Sequence, residues 1–491
     1  MDSSFEENLS ALILRRFKGA RLMSVSQLTA GASQQTFRLT LETSAGQHVE
    51  YALRRAQPGL ESSSYGQLPP SVEVELLQLA ASGGVPVPAI ECVLEPNDGL
   101  GDGYIMEWLD GETMGQRIVR LPELADARNQ LANDCGQALA RIHALSVPSS
   151  LFRQLHNVSP EALVRETWDA YIALDTPQPM IDFTAQWLLR HLPVGSKTSL
   201  VHGDFRNGNL MVTPDGIRAV LDWELSHIGD PMRDLGWLCV NSWRFGNRSL
   251  PVGGFGRVED LVSGYESVSG EKVDREALQF WEVFGSFWWS ITTLGMAQTW
   301  RTGETPSVER PVIGRRSTEA QMDCVHLLIP GEVTALPNSD WDENLPSGSE
   351  LINSVQTHLQ ENVAEKLAGA DKFLIRVAIN SLSIVDREIS FRAEAERVEY
   401  EGLQSLLMNA DSRESKGSTE GDGNERIHQN AESLTELRWK LVSMLRANLP
   451  LPIDILSDHL RQTVAHRLYI DQPKYSALNG ALDDGDLATQ G

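Results

Sequence analysis

Residues 200–224, LVHGDFRNGNLMVTPDGIRAVLDWE, constrain this chain more tightly than any other part of it. Two apolar runs, LMV and IRAVL, flank the turn residues TPDG, a pattern that predicts a hairpin of two short strands. Asp204 and Asn209 lie five residues apart ahead of the hairpin, at opposite ends of one tight loop, and Asp222 closes its second strand. Folding the hairpin back leaves Asp222 beside the loop. Two carboxylates and a carboxamide gathered in this way suit phosphoryl transfer, where catalysis is mostly positioning and charge neutralisation. One carboxylate must face an acceptor hydroxyl and take or orient its proton. Two further oxygens must hold Mg²⁺, a hard cation that prefers carboxylate and amide ligands. Taken singly, HGD and LDW read equally well as ordinary turn residues. The apolar strand ending in Asp222, and Gly229, Asp230 and Pro231 with Asp234 behind them, weigh against that reading.

The pattern on either side of this segment is uneven. Phe5, Leu9, Leu12, Ile13 and Phe17 share one side of a helix predicted over the first twenty residues. From about Leu22 to Leu109 the chain turns strand-like, with a Gly-containing turn between two Thr- and Val-rich runs, a third strand in HVEYALRRA, and a fourth in GYIMEWLDG. VEVELLQLA between them reads as a short helix. Residues 1–110 thus form a small β-rich lobe, and 111–335 a larger, mostly helical one.

The motif LVHGDFRNGNLMV followed by AVLDWELSHIGDPMRDLGW resembles the aminoglycoside-phosphotransferase and choline-kinase-like family. Its spacing is also that of the protein-kinase catalytic loop and metal-binding Asp. Within the family the likeness is to the branch fused or linked to acyl-CoA dehydrogenases, and it covers roughly residues 20 to 330. The resemblance implies an α+β, two-lobed protein-kinase-like fold that transfers phosphate from ATP with Mg²⁺. It implies Asp204 as catalytic base, Asn209 and Asp222 as the metal ligands, and His202 as a support of the loop rather than a proton shuttle. Arg206 belongs to the same catalytic group. Asp230 and Asp234 are expected to be structural, stabilising the helix that starts near Pro231. Gly31, Ser33 and Gln34 occupy the place of the family's phosphate-covering turn, although a glycine in a hairpin is also what any turn needs. Arg54 stands where such kinases commonly carry a lysine that meets the α- and β-phosphates, a role a guanidinium can fill and one whose replacement also suits a pseudokinase. Glu73 is its expected ion-pair partner, with Glu75 as the alternative, and Arg55 should face the other side of the strand. Met106, Glu107, Trp108 and Leu109 are the expected hinge, reading adenine through backbone groups.

The acceptor side is less legible. The aromatics Trp237, Trp243, Phe245, Trp281, Trp288, Trp289 and Trp300 read mainly as core, with a minority available to wall a pocket. Arg315 and Arg316 can meet acidic groups or form an ion pair at a helix start. From the resemblance a small hydroxyl substrate is expected, a hydroxyacyl-CoA or hydroxy acid ahead of an amino alcohol or aminoglycoside.

Residues 336–350 are a linker by composition, and a helical domain follows over 351–468. Leu351, Val355, Leu359, Val363 and Leu367 repeat at intervals of four, which predicts a helix, and Leu374, Val377, Ile384 and Val385 continue on the next. The polar stretch 411–426 is expected to be a disordered loop, and 469–491 a tail. This domain resembles one of unknown function found behind such kinases. Its lack of clustered His, Cys or Asp points to docking of a partner protein, self-association or lid duty. A net charge of −25 argues against a nucleic-acid binder, which needs a basic face. Four cysteines far apart predict reduced thiols rather than disulfides or zinc. MDSSFEENLS is no signal peptide, and the uncharged run 283–300, broken by Ser, Thr, Gln and Gly, predicts a buried helix rather than a membrane span. A soluble, cytoplasmic protein is therefore expected.

Overall fold

The computed structural model describes residues 3–28, 34–56, 67–195, 197–304, 307–337, 346–414 and 432–478, and side chains for all of these except 3 and 411–414. Two compact units emerge, one of Met1–Pro160 with Pro193–Glu282, the other of Glu161–Leu192 with Val283–Gly491.

The first unit opens on α1 (Ser3–Arg16), whose Phe5, Leu9, Leu12 and Ile13 are buried as their periodicity requires. They pack onto a five-stranded antiparallel sheet of β1 (Arg21–Gln27), β2 (Gln34–Glu42), β3 (His48–Ala56), β4 (Ile90–Val93) and β5 (Gly103–Glu107), in the order β1-β2-β3-β5-β4. Phe37, Leu39 and Leu41 alternate along β2 and, with Leu53 and Ile105, fill the face beneath the helix. Helix α2 (Pro70–Ser82) starts at a proline, whose missing N–H costs nothing at the first turn. Strand β4 is four residues long and carries no alternation that marks it in the sequence.

The rest of this unit is built on α3 (Ala125–His143). Two small ladders follow: β6 (Ser199–Val201) pairs with β9 (His227–Gly229), and β7 (Leu210–Thr213) pairs with β8 (Gly216–Val220). The β7–β8 ladder is the hairpin expected around TPDG, with Leu210 opposite Val220. Then come α4 (Met232–Cys239) and α5 (Val258–Ser269). Helices α3 and α5 approach so closely that a Cβ on Gly136 would stand 2.1 Å from the Leu261 carbonyl oxygen.

Helices make up the second unit, among them Pro179–Arg190, Ser317–Leu328, the 46-residue Gly369–Glu414, Leu434–Arg446 and Ile453–Asp471. Met180, Met322, Leu403, Leu406, Leu441, Leu460 and Leu468 form its core. The uncharged run 283–300 lies in the helix Arg275–Arg301, where Phe284, Phe287 and Ile291 are buried. The hydroxyls of Ser290 and Thr293 donate back to the carbonyls of Phe287 (2.7 Å) and Trp289 (3.0 Å), which removes the polar cost of burying them. Among the described residues no helix is long and apolar enough to cross a membrane.

The four-residue repeat from Leu351 to Leu367 does not form one buried face. The helix Gly348–His358 gives way to a π turn (Leu359–Val363) and a 3₁₀ turn (Ala364–Lys366), and Leu351 and Val355 are 56% and 48% exposed. A spacing of four overshoots the 3.6-residue turn by about 40° per step, so five such residues spiral around the helix instead of lining it. Of the stretch 411–426, the first four residues continue the backbone of Gly369–Glu414, and 415–426 lie outside the described residues. Of the tail, Ala477 and Leu478 are buried, and 479–491 lie outside the described residues.

Candidate active site

The loop between β6 and β7 carries the candidate machinery, and its conformation is set from beneath. Asp234, fully buried on α4, accepts the backbone N–H of His202 (2.8 Å) and of Gly203 (2.9 Å). The His143 ring lies 3.1 Å from the same carboxylate and 3.0 Å from the Tyr265 hydroxyl. Burial would push the Asp234 carboxyl up, but His143 first and then the Gly203 N–H act against it, and the carboxyl is held at about 2. Asp234 thus braces the loop, where a role in its own helix was expected. Asp230 does serve the helix start, accepting the Met232 N–H at 2.9 Å. Gly203 is at φ +85°, and a Cβ there would stand 2.3 Å from the Leu225 carbonyl oxygen, so the HGD turn admits only glycine.

His202 is buried, and its Nδ1 accepts the Asp204 N–H (3.2 Å). Its Nε2 therefore carries the proton and donates to the Leu221 carbonyl (3.1 Å), tying the loop to the end of the hairpin. Burial lowers its pKa and keeps the ring neutral.

Asp204 is oriented on every side. Its Oδ2 accepts from Asn209 Nδ2 at 2.6 Å, and Oδ1 accepts from Arg206 Nε at 2.9 Å and the Trp237 indole N–H at 2.8 Å. Asn209 Nδ2 also reaches the Asp204 carbonyl (3.0 Å), which turns its Oδ1 away as an acceptor. Asn207 anchors the loop floor through the carbonyls of Trp243 (3.1 Å) and Gly253 (2.5 Å).

Asp222, just past β8, is a non-glycine residue at φ +65°, a conformation that aspartate tolerates better than most. Its carboxylate is bonded to Arg54, which projects from β3. Arg54 Nε donates to Gln34 Oε1 (2.7 Å) and lies 3.4 Å from Glu73, and its Nη2 lies 3.5 Å from Glu224. Gln34 Nε2 bridges Glu73 (3.3 Å) and Glu224 (3.2 Å), and the Trp223 N–H donates to Glu73 (3.1 Å). Three carboxylates therefore surround one guanidinium, leaving two negative charges in excess. Burial, with Asp222 nearby, pushes the Glu73 carboxyl up against the pull of Arg54. Burial acts on Asp222 in the same sense, yet Arg54 holds it below the usual carboxylate range. Among the described residues no group of three His, Cys, Asp or Glu is arranged to hold a metal ion. The donor set still fits Mg²⁺, which takes one or two protein oxygens and completes its shell with phosphate and water. Asn209 Oδ1 and Asp222 could supply those oxygens, and carboxylates in excess of guanidinium groups suit a divalent cation.

Of the other expected residues, Gln34 joins the Arg54 cluster, while Gly31 and Ser33 lie outside the described residues. Glu75 meets Gln154 (3.3 Å), so Glu73 is the carboxylate at Arg54. Arg55 faces away and lies 4.2 Å over the Phe5 ring. Met106 sits in β5 between β3 and β4, and the Glu107 N–H is committed to the Ala89 carbonyl at 2.9 Å. Trp108 and Leu109 follow the strand, and the Trp108 ring is covered by Arg38 at 4.6 Å. In the second unit Arg315 pairs with Glu388 (2.6 Å) and Asp471 (2.9 Å), and Arg316 with Glu319 (3.1 Å), the helix-start ion pair. Both guanidinium groups are thus committed to the protein's own carboxylates. Glu224 was not anticipated, although it stands two residues beyond Asp222 in LDWE. The Trp237–Asp204 bond left no trace in the sequence, since it depends on where α4 packs. The four cysteines are buried and free.

Residues 24–270, half of the chain, match the family described as phosphotransferase enzymes, and residues 365–475 match a domain of unknown function. Mouse acyl-CoA dehydrogenase family member 10 is 34% identical over 177 residues, 34% of this chain and 16% of its own. An Arabidopsis thaliana protein described as an acyl-CoA dehydrogenase, IBR3, is 26% identical over 449 residues, 79% of this chain and 51% of its own. The chain therefore spans about half, or less, of these relatives' length. The solved structure of a Ralstonia eutropha protein assigned as an aminoglycoside phosphotransferase superposes with a TM-score of 0.50 at 24% identity, over 66% of this chain and 98% of that one. That likeness speaks to the fold, which is α+β and kinase-like with a helical region at its C-terminal end.

Proposed function

The chain belongs to the phosphotransferase enzyme family, and from that premise we propose that it is a small-molecule kinase, moving the γ-phosphate of ATP to an acceptor hydroxyl with Mg²⁺. The observation that carries this reading is the Asp204–Asn209 bond of 2.6 Å at the open end of the β7–β8 hairpin, where Asp222 follows the second strand. A carboxylate held this firmly has a defined lone pair to offer an acceptor O–H. The acceptor oxygen bonds to phosphorus, the bond to the ADP oxygen breaks, and the acceptor proton passes to Asp204. Asn209 Oδ1 and Asp222 would hold Mg²⁺, whose charge offsets that of the phosphate oxygens. Arg54 would meet the α- and β-phosphates with its planar fork, Glu73 and Gln34 fixing its orientation. Trp108 and Leu109, beyond the last committed N–H of β5, are the hinge positions for adenine.

A hydroxyacyl-CoA or hydroxy acid is the favoured acceptor, in keeping with relatives named as acyl-CoA dehydrogenases, and an amino alcohol or aminoglycoside is second. A nucleotide-binding pseudokinase or scaffold that regulates a partner enzyme is the competing reading. It is favoured by one observation, the Arg54 guanidinium seated on the Asp222 carboxylate.

Thermal stability with and without Mg·ATP, in the wild type and Asp222→Ala, separates these readings, because a ligand at a hundred times its Kd stabilises by about 2.7 kcal/mol. The kinase reading expects a Mg²⁺-dependent rise that the variant loses, together with ADP release when hydroxyacyl-CoA thioesters are added. A nucleotide-dependent rise without transfer to any hydroxyl would favour the pseudokinase, and no rise at all the scaffold.

A further inference from the structure

We infer that Trp237 is a positioning residue that directs proton transfer to one oxygen of Asp204, an inference that rests on the kinase reading. A carboxylate offers about four lone-pair directions, two on each oxygen. At Asp204, Oδ1 accepts two donors, the Trp237 indole N–H (2.8 Å) and Arg206 Nε (2.9 Å), whereas Oδ2 accepts one, Asn209 Nδ2 (2.6 Å). Oδ1 is saturated, and the lone pair left over belongs to Oδ2. The acceptor hydroxyl must therefore deliver its proton to Oδ2, on the side of Asn209.

The two donors to Oδ1 differ in how firmly they are held. The Arg206 side chain is 24% exposed and its guanidinium lies over the Trp243 ring at 4.4 Å, so several torsions can move it. Trp237 is 4% exposed, turns on only two torsions, and meets Trp243 edge-on at 5.0 Å. Its helix α4 packs closely at the neighbouring Gly236, where a Cβ would stand 2.6 Å from the Trp281 backbone. Three residues before Trp237 the same helix supplies Asp234, which fixes the loop backbone at His202 and Gly203. One element thus sets both the position of the loop and the rotation of the Asp204 carboxylate.

The test measures ADP release from Mg·ATP with hydroxybutyryl-CoA as acceptor and with water alone. Trp237→Phe removes the N–H and should lower kcat about tenfold, the worth of one hydrogen bond to a charged group, while KM for ATP and the Mg·ATP thermal shift stay at wild-type values. Benzothienylalanine placed at Trp237 keeps the bicyclic shape but replaces N–H with sulfur, and should show the same kcat loss. Wild-type kcat in the benzothienylalanine protein would overturn the inference and assign the phenylalanine effect to packing. A parallel fall in kcat, nucleotide affinity and melting temperature in both variants would overturn it as well, as a purely structural role. A wild type that releases no ADP with hydroxybutyryl-CoA, an amino alcohol or an aminoglycoside would overturn the kinase reading and this inference with it, whereas an active wild type with unaffected variants overturns this inference alone.

Discussion

Arg54 is where a single side chain departs furthest from what its surroundings would otherwise tolerate. Glu73 is 1% exposed and Glu224 is 9% exposed, and the Arg54 guanidinium lies within 3.4 and 3.5 Å of them. Removing one partner of a buried ionic cluster leaves uncompensated charge and typically costs about 3–5 kcal/mol. Arg54→Met should destabilise the first unit by an amount in that range, measured by urea unfolding at neutral pH. Unchanged stability would mean that the carboxylates are protonated or hydrated, and that Arg54 does not neutralise them. Arg54→Lys should recover part of the loss, since an ammonium keeps the charge but cannot bridge Gln34 and Asp222 at once. Asp204→Asn should abolish phosphate transfer and spare the Mg·ATP thermal shift, because the carboxamide keeps the shape and loses the base. Much of this was legible in the sequence: Asp204, Asn209, Asp222, Arg54 and Glu73 were all named from spacing or resemblance. Glu224 and Trp237 were not, since neither has a local pattern that announces what it touches.

The loop after β6 and the helix α4 behave as one element joined by the Asp234 carboxylate. Its pKa of about 2 lies below that of a free aspartate, so folding favours its ionised form. That contribution is present in full above about pH 4 and is lost as the pH falls through 2, with a size of about 2 kcal/mol. Asp234→Asn should therefore flatten the acid limb of the stability curve between about pH 4 and 2, followed by circular dichroism. An acid limb identical to the wild type would show that His143 and the backbone donors do not act on this carboxylate. Gly203→Ala tests the same loop sterically. A left-handed φ costs about 1–2 kcal/mol for a residue with a Cβ, and the 2.3 Å approach to the Leu225 carbonyl adds to it, so a loss above about 2 kcal/mol is expected in urea.

In the whole molecule the second unit has a buried ionic cluster of its own. Glu399 bonds Arg438 through both oxygens (2.7 Å each) and Arg467 at 2.9 Å, and the two guanidinium groups hold it at about 2 against the upward push of burial. His459, buried nearby, is pushed down to about 4 by that burial, Arg467 and Arg438 adding to the effect while Glu399 and Asp458 oppose it. Unfolding lets His459 take a proton near pH 6.5, so its contribution is present above that pH and declines as the pH falls toward 4. His459 should contribute about 2–3 kcal/mol to the loss of stability over that interval, and His459→Gln should remove this part of the slope. An unchanged slope would assign the decline to other groups.

The sequence by itself determined the order of the candidate groups and most of the scaffold that presents them. The order Asp204, Asn209, hairpin, Asp222 is local, and a two-residue period and a turn are enough to bring its parts together. The periodicity of α1 and the alternation along β2 likewise sort buried from exposed positions without reference to the rest of the chain. Tertiary structure alone decided the remainder. Residues 161–192 group with 283–491 through Asp182, which accepts from Arg446 Nε at 2.8 Å across more than two hundred and sixty positions, and no local pattern encodes such a pairing. The same holds for Asp234 beneath the loop, Trp237 against Asp204 and Glu224 beside Arg54. A side chain's partner across a fold depends on how helices and strands pack, and packing is a property of the assembled chain, whereas propensity and period belong to each stretch of sequence on its own.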